Sequence, residues 1–422
     1  MDRKRRFHAL YDKIERRDVL ERAWFQVRSN RGAPGIDRIA FADVEQEGVD
    51  RWLDELASDL KAHRWRPLPA RRVWIPKPGG VEQRPLSIPT IRDRVVQAAA
   101  KIVLEPVFEA DMAPNSFGFR PKRTAHDALQ VLTDESWRGR RWVVETDIAS
   151  CFEAIPHDRL MRLIEDRVSD RNVLKLLRVM LRAGVMEHGT VRHSVAGTPQ
   201  GGVISPLMCN VYLNPLDQIW AQHHQDGVLV RYADDLVVMC SSRRSAEYAL
   251  RTLRRLLGDL GLELREDKTR IVHLGVGEKG FDFLGFHLKW IAGRRQYSHL
   301  EYLARWPSRK ATRRARDRIR DLTGRSRLPV KVDCIVADVN RFLRGWTGYF
   351  RYGNSAVAFD KIHAYAKMRL ALFVSKRHDR SRSFGWSMLY GSPNLLGLLS
   401  LNGIVVAPRP NRSWREKPHV AR

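Results

Sequence analysis

The chain contains 422 residues, with 75 Lys and Arg against 48 Asp and Glu, so its formal net charge is +27. Positive charge of this size favours a nucleic acid as the partner, with a generically basic globular protein as the alternative. No apolar stretch approaches the roughly 18 residues of a membrane span, and the start of the chain lacks the apolar segment of a secretory signal. These properties argue against a membrane protein or a secreted one.

The first part of the chain predicts helices followed by a basic hairpin. Residues 1–70 are polar, with apolar residues at helical spacing between 52 and 60. Residues 71–89 are rich in Pro, Gly and β-branched residues, and they predict a hairpin that carries cations. Between 93 and 108, apolar residues recur every three or four positions, which predicts a helix that packs one face against a core.

The middle of the chain predicts an α+β unit with antiparallel pairing. Residues 141–148 have the composition of a buried strand, which carries Asp147 close to its end, and helical patterns follow from 157 to 183. A glycine-rich loop at 197–202 leads into a helix that begins at Ser205-Pro206, where a Ser cap precedes Pro in the first turn. This order of elements allows the end of the strand to lie beside the acidic hairpin that comes next.

Two adjacent acids, Asp234 and Asp235, interrupt an apolar run from Val228 to Met239 that predicts two paired strands. A hairpin tip that faces solvent is the usual position of such a pair and is one alternative. If Asp147 lies beside them, three carboxylates meet, and hard divalent cations prefer carboxylate oxygen. That cluster favours two-metal phosphoryl transfer, in which one ion activates a 3′-hydroxyl and the other neutralises the leaving pyrophosphate. No Walker-type loop, the main competing phosphate site, occurs in the sequence.

Seven sequence blocks, in sequential order, resemble the reverse transcriptases of bacterial group II introns. The blocks are Asn30-Arg31-Gly32-Ala33-Pro34-Gly35-Ile36-Asp37, Arg84-Pro85-Leu86-Ser87-Ile88-Pro89, Asn115-Ser116-Phe117-Gly118-Phe119-Arg120-Pro121, Asp147 with Phe152, Gln200-Gly201-Gly202-Val203-Ile204-Ser205-Pro206, Tyr232-Ala233-Asp234-Asp235 and Phe281-Asp282-Phe283-Leu284-Gly285-Phe286. Each block alone is a weak signal, whereas all of them in order make a chance resemblance negligible.

The resemblance implies an α+β fold with a right-hand polymerase architecture. In such an enzyme, fingers and an antiparallel-sheet palm precede an α-helical thumb or maturase domain. It also implies an RNA-directed DNA polymerase that uses two Mg²⁺ ions, with Mn²⁺ as a substitute. Asp147, Asp234 and Asp235 resemble the catalytic metal ligands, and the backbone of Ile148 is a further candidate ligand.

The same resemblance assigns nucleotide-binding roles. Lys77 and Arg84 resemble the finger cations that hold the incoming triphosphate, and Gln200 resembles part of the loop that lets template and nucleotide approach. Phe152 matches the steric gate that would collide with a ribose 2′-hydroxyl, although an ordinary core position is the alternative. Lys268 resembles a lysine that protonates pyrophosphate, with a simple exposed lysine as the alternative.

The part of the chain beyond Trp290 predicts basic helices. A dense basic stretch from 305 to 320 has helical character, and apolar stripes predict two further helices, at 335–350 and 359–373. The segment 342–350 resembles the maturase or thumb segment of the same family. The resemblance implies that a basic face grips intron RNA and the template-primer duplex, whereas a solvated charged face is the alternative. The candidate RNA-binding residues are Arg305, Arg309, Lys310, Arg313, Arg314, Arg316 and Arg344.

The expected domains are an N-terminal extension with the fingers at 1–130 and a palm at 131–292. A helical thumb or maturase domain at 293–385 and a short basic tail at 386–422, a candidate DNA contact, follow. A chain that ends at 422 leaves no room for the Cys- and His-bearing endonuclease domain of some relatives, so we expect that domain to be missing.

We expect a bacterial cytoplasmic enzyme, held near the nucleoid by nucleic acid, that synthesises cDNA and also assists the splicing and mobility of its own intron. The expected partners are group II intron RNA, an RNA template with a DNA primer, target DNA and dNTPs. One alternative is an RNA-binding maturase with little polymerase activity. Another is a domesticated reverse transcriptase that acts in DNA repair or phage defence. The sequence does not determine the oligomeric state.

Overall fold

The structure is a computed structural model, which describes residues 5–76, 83–187, 190–192, 197, 201–223, 227–293 and 300–406. Lys77 and Gln200, two of the predicted nucleotide contacts, lie outside the described residues. The chain divides into two compact units. The first comprises Met1–Val131 and Trp142–Ile271, and the second comprises Leu132–Arg141 and Val272–Arg422.

Helices surround two four-stranded sheets in the first unit. The helices are α1 (Tyr11–Ile14), α2 (Arg17–Ser29), α3 (Phe41–Glu47), α4 (Val49–Lys61), α5 (Ile91–Glu109), α6 (Ala125–Trp137, which continues into the second unit), α7 (Cys151–Ala154), α8 (His157–Glu165), α9 (Arg171–Arg182), α10 (Ser205–His223) and α11 (Arg243–Asp259). The strands are β1 (Ala70–Pro76), β2 (Gln83–Ile88), β3 (Trp142–Asp147), β4 (Val185–Glu187), β5 (Thr190–Arg192), β6 (Gly227–Tyr232), β7 (Asp235–Cys240) and β8 (Arg270–His273, at the boundary of the units).

The predicted basic hairpin is confirmed. Strands β1 and β2 pair antiparallel, with Ile75 opposite Arg84, and the sheet order is β2-β1-β4-β5. Helix α5 follows directly, as the periodicity between 93 and 108 predicts. Its N-cap is Thr90, whose hydroxyl accepts a hydrogen bond from the Asp93 backbone N–H. The hairpin is thereby fixed to the end of a long buried helix.

The second sheet, with strand order β6-β7-β3-β8, carries the predicted acids. Strand β7 is buried from Leu236 to Cys240, so both faces are covered and its continuous apolar run is explained. Helix α11 packs on β3 and β7, and α10 packs on β6. The antiparallel hairpin predicted around Asp234 and Asp235 is confirmed, and the sheet sits on the main hydrophobic core.

The second unit combines a three-stranded sheet with helices. Its further strands are β9 (Phe281–Phe283), β10 (Phe286–Ala292) and β11 (Glu301–Pro307), in the order β11-β10-β9 and all antiparallel. Its helices are α12 (Arg309–Leu322), α13 (Val332–Phe350), α14 (Ala356–Arg377), α15 (Arg382–Gly391) and the short α16 (Asn394–Gly397), in which Leu395 and Leu396 have left-handed backbone. The two amphipathic helices predicted from the apolar stripes are therefore present, as α13 and α14. No helix in the described part of the chain is long and apolar enough to span a bilayer.

The prediction that Arg305 belongs to an exposed basic helix is wrong. Arg305 lies in β11, and only 3% of its surface is exposed. Its Nε donates to the Tyr352 carbonyl oxygen at 2.8 Å, and burial lowers its pKa to about 10. The helix begins only after Ser308, whose hydroxyl accepts from the Ala311 N–H. The basic run was misleading because a strand arginine stands next to several helix arginines in sequence.

The strand β11 also bears on the proposed domain boundaries. The proposed boundary at 292/293 between palm and thumb falls between β10 and β11, which pair along their whole length inside the second unit. The compact units divide instead after Ile271. The assignment of fingers, palm and thumb to residue ranges remains a proposal.

Because Arg305 is buried, its replacement is expected to affect folding rather than RNA binding. Arg305→Ala should lower the free energy of unfolding by about 1–3 kcal/mol, since the Tyr352 carbonyl loses its donor. Arg313→Ala, on the exposed side of α12, is the matched control. It should leave stability within about 0.5 kcal/mol and weaken RNA binding with a shallower salt dependence. Urea denaturation and RNA binding at several salt concentrations measure both. An Arg305→Ala protein of normal stability that binds RNA as weakly as Arg313→Ala would contradict this view.

Candidate active site

Strand pairing brings the three predicted acids together at one end of the second sheet. Asp147, the last residue of β3, is opposite Asp235, the first residue of β7. Ala233 and Asp234 form the turn between β6 and β7, and Ala233 adopts a left-handed backbone with φ of 57°. The Ile148 N–H donates to the Asp234 carbonyl oxygen at 3.1 Å, which ties the turn to the chain beyond β3.

Burial and mutual repulsion shape the charge of this acid cluster, which comprises Asp147, Asp234 and Asp235. Burial, together with the nearby Asp147 carboxylate, raises the pKa of Asp234 above its ordinary value. Burial and the Asp234 charge raise the pKa of Asp235 to about 7. One of the three carboxylates is buried and the other two are half-buried, so they repel one another, and a nearby cation relieves that repulsion. The cluster therefore needs compensating positive charge.

Part of that positive charge comes from Lys268. This residue ends a 3-10 turn at Glu266–Lys268, and its Nζ donates to Asp147 Oδ2. The Arg265 guanidinium lies 3.6 Å from the same oxygen, and the Arg265 N–H donates to the Asp147 carbonyl oxygen at 2.8 Å. Lys268 was predicted as a proton donor to pyrophosphate. The structure places it at the acid cluster, half exposed, where it is paired with one of the carboxylates.

One direct observation indicates that the acid cluster is suited to a divalent cation. Asp147 Oδ1 is buried and has no hydrogen-bond partner, an arrangement that is costly in a folded protein. Its other oxygen is taken by Lys268, and the described residues contain no preformed cage of three His, Cys, Asp or Glu side chains. The donor set is thus one of hard carboxylate oxygens with a free position, which is the chemistry that Mg²⁺ prefers.

The turn that carries Asp234 is held by a buried arginine that sequence reasoning missed. Arg231 is fully buried, and its Nε donates to Asp217 Oδ1 at 2.8 Å. Its Nη1 donates to the Asn210 side chain at 3.0 Å and to the Ala233 carbonyl oxygen at 3.1 Å, and Nη2 donates to Ser116 Oγ at 2.7 Å. Burial alone would lower the pKa of Arg231, but the Asp217 carboxylate keeps it raised. We call Arg231, Asp217, Asn210, Ser116 and the Ala233 carbonyl the arginine cluster.

A signal for the arginine cluster was present in the sequence. Arg231 interrupts the apolar run Val228-Leu229-Val230, and a charge inside a buried strand requires a buried partner. The partner, Asp217, lies on α10, where the apolar pattern around it gave no indication of a pair. The block Asn115 to Pro121 also packs here. A Cβ at Gly118 would lie 2.3 Å from the Ala233 N, so only glycine fits against the turn.

The described nucleotide-binding candidates occupy separate elements of the first unit. Phe152 lies on the one-turn helix α7, half-buried, and its ring meets that of Phe119 edge to face at 6.5 Å between centroids. Arg84 is exposed on β2. Gly201 has φ of 111°, and a Cβ there would lie 2.4 Å from the Ser87 carbonyl oxygen, so the backbone at Gly201 approaches β2 closely.

The remaining RNA-binding candidates are exposed in the second unit. Helix α12 carries five of them, and the sixth, Arg344, lies on α13. The exposed members on α12 are Arg309, Lys310, Arg313, Arg314 and Arg316. Arg316 also lies over the Tyr365 ring at 5.6 Å. Such a basic helix surface complements phosphate groups.

Two known families match the chain. Residues 75–288 match the reverse transcriptase (RNA-dependent DNA polymerase) family, and residues 312–390 match the group II intron maturase-specific domain.

Protein YkfC of Escherichia coli strain K12 is 35% identical over 322 residues, which cover 67% of this chain and 83% of that protein. The group II intron-encoded protein LtrA of Lactococcus lactis subsp. cremoris is 36% identical over 218 residues, which cover 51% of this chain and 36% of LtrA. A chain of Candida albicans telomerase covers 80% of this chain and 67% of its own, with 12% identity and a TM-score of 0.44, too low to argue from.

An α+β fold with three carboxylates at the end of an antiparallel sheet, together with the two family matches, defines a template-directed nucleic-acid polymerase. The chain belongs to the reverse transcriptase family and is an RNA-directed DNA polymerase. Its helical C-terminal region contains a group II intron maturase-specific domain. Members of the family generally use divalent metal ions, usually Mg²⁺, and the group II homologues bind intron RNA. The predicted fold class and enzyme class are therefore confirmed.

Loss of Arg231 should unfold the sheet end rather than merely remove one contact. Arg231→Met is expected to lower the free energy of unfolding by about 3–5 kcal/mol, since Asp217 then stays buried without its partner. The double variant Arg231→Met with Asp217→Leu should recover a large part of that loss, because no charge remains buried. Urea denaturation followed by circular dichroism measures both. If the single variant were as stable as the unmodified protein, the structural importance of the pair would be refuted.

Proposed function

We propose that Asp147, Asp234 and Asp235 are the catalytic metal ligands of this polymerase, with the Ile148 carbonyl as a further ligand. The observation that supports this is the meeting of three carboxylates where one oxygen is buried without a partner. Two Mg²⁺ ions, or Mn²⁺ in their place, would supply activation of the primer 3′-hydroxyl and charge neutralisation at the pyrophosphate. The carboxylates hold this charge at a fixed place, so no reorganisation is needed during the reaction.

Cations of the first unit act on the nucleotide in this proposal. Arg84, exposed on β2, and Lys77, in the same hairpin of the sequence, bind the triphosphate through charge-assisted hydrogen bonds. Gln200 belongs to the loop whose glycine neighbour, Gly201, allows close approach to β2. Lys268, whose Nζ donates to Asp147 Oδ2, is the residue that protonates the leaving pyrophosphate in this proposal.

Phe152 selects the sugar in this proposal. It lies five residues beyond Asp147, on a short helix whose neighbour Cys151 is fully packed in the core. The ring is half-buried, so part of it can meet a substrate. A phenyl ring placed against C2′ leaves room for hydrogen but not for a hydroxyl, which favours deoxynucleotides over ribonucleotides.

The template-bearing substrates are proposed as an RNA template with a DNA primer, and the wider partners as group II intron RNA and target DNA. The exposed cations of α12, together with Arg344, are suited to the phosphates of an A-form duplex. Side chains cannot read the bases through the deep, narrow major groove of such a duplex. A splicing maturase is therefore proposed as a second function of the same chain. The match of residues 312–390 to the maturase-specific domain favours it.

Removal of a proposed metal ligand should lower the polymerase activity without lowering the stability of the protein. Asp234→Asn is expected to reduce primer extension on an RNA template with Mg²⁺ by on the order of 10²–10³ or more. Its stability should not fall, because the variant removes a repelling charge from a half-buried cluster. Glu247→Gln, at an exposed ion pair on α11, is the matched control and should keep normal activity. Single-turnover extension assays and thermal melting measure the two effects, and an Asp234→Asn protein as active as the control would refute the ligand role.

A second prediction concerns sugar selection. Phe152→Ala should raise the kcat/KM for ribonucleotides relative to deoxynucleotides, because the side chain that collides with the 2′-hydroxyl is gone. Phe25→Ala, which removes an equally large but 67% exposed ring elsewhere in the unit, should leave the ratio unchanged. Steady-state incorporation of dNTP and rNTP opposite one template base gives the ratio. An unchanged ratio in Phe152→Ala would exclude the gate.

A further inference from the structure

Phe119 combines two properties that are unusual for a phenylalanine with a purely structural role. Its backbone is left-handed, with φ of 58°, and this conformation is unfavourable for a bulky side chain. Its side chain is 52% exposed, so burial does not compensate the strain. Neither a turn preference, which favours Gly or Asn, nor core packing accounts for a phenylalanine here. Strained backbone of this kind gathers at functional sites.

Both neighbours of Phe119 prevent its backbone from relaxing. Gly118 lies against the turn between β6 and β7, and its carbonyl oxygen accepts from Asn210 Nδ2 at 2.8 Å. Arg120 is buried, pairs with Glu109 at 2.7 Å, and donates to the Ser116 carbonyl oxygen at 2.7 Å. The strained position is therefore imposed from both sides, and the direction of the Phe119 side chain is imposed with it.

The Phe119 ring meets the ring of Phe152. The centroids are 6.5 Å apart and the planes are inclined by 78°, the edge-to-face geometry that aromatic pairs prefer. Phe152 lies on α7, a single helical turn whose N-cap, Ser150, makes no capping hydrogen bond and is itself left-handed. One turn without a cap is a weak support for a side chain that has to be placed accurately. A fixed neighbouring ring supplies the missing constraint.

We propose that Phe119 is a positioning residue for sugar selection, because its ring fixes Phe152 in the place from which it excludes the 2′-hydroxyl. The inference rests on the proposed role of Phe152 as the gate. Phe119 acts through Phe152 and takes no direct part in the chemical reaction. The segment that carries Phe119 also abuts the turn with Asp234, so one strained segment sets both the gate and the acid cluster.

The test uses Phe119→Gly as its main variant. Glycine adopts the left-handed backbone without strain, so the ring is removed while the chain path is kept and folding is not impaired. The ratio of kcat/KM for dNTP to that for rNTP should fall about threefold to tenfold, the range that the strength of an aromatic pair allows. Phe119→Tyr retains the ring and should show the same ratio as the unmodified protein. Because a ratio does not depend on the fraction of folded protein, a merely structural role would not change it.

A double-mutant cycle with Phe152→Ala distinguishes the possible failures. Phe119→Gly should have no further effect on the ratio once Phe152 is alanine. If Phe152→Ala lowers the ratio and Phe119→Gly does not, the positioning role is overturned while the gate stands. If Phe119→Gly lowers the ratio equally in both backgrounds, Phe119 acts independently of Phe152 and the inference is also overturned. If Phe152→Ala leaves the ratio unchanged, the gate itself fails and the inference fails with it.

Discussion

The ion pair of Arg231 with Asp217 is the interaction on which the acid cluster depends. A buried pair gives little net stability, because both ions lose their hydration, but it fixes geometry once its remaining donors are satisfied. Here every guanidinium nitrogen has a partner, and one bond goes to the carbonyl of the residue directly before Asp234. The buried pair thus gives the turn that carries Asp234 a defined position. Three neighbouring carboxylates repel one another, so the turn that carries Asp234 needs such a support.

Sequence patterns were sufficient where period and composition act locally. The helix at Ile91–Glu109, the hairpin of β6 and β7, and the meeting of Asp147 with Asp235 all follow from spacing and from antiparallel pairing. Long-range partners were beyond those patterns. The pairing of Arg231 with Asp217 and of Lys268 with Asp147 joins residues that are distant or differently patterned in sequence, so no local signal specifies it.

Charge density was a poor guide to exposure in the second unit. Arg305 and Arg309 are four residues apart in one basic run, yet one is buried in a strand and the other is exposed at the start of a helix. The decisive residues are Pro307 and Ser308, which end the strand and cap the helix. Local turn chemistry therefore separates two arginines that composition groups together.

Helix α10 joins features that have so far been treated apart. Gly201, four residues before the helix begins, lies close to Ser87 of β2, while Asn210 and Asp217, within the helix, hold Arg231. Pro215 lies between Asn210 and Asp217 and has no backbone N–H to donate, so the helix lacks one of its hydrogen bonds there. The approach to β2 and the support of Arg231 nevertheless share one helix. A substitution that shifts α10 would therefore disturb the surroundings of β2 and the turn that presents Asp234 together.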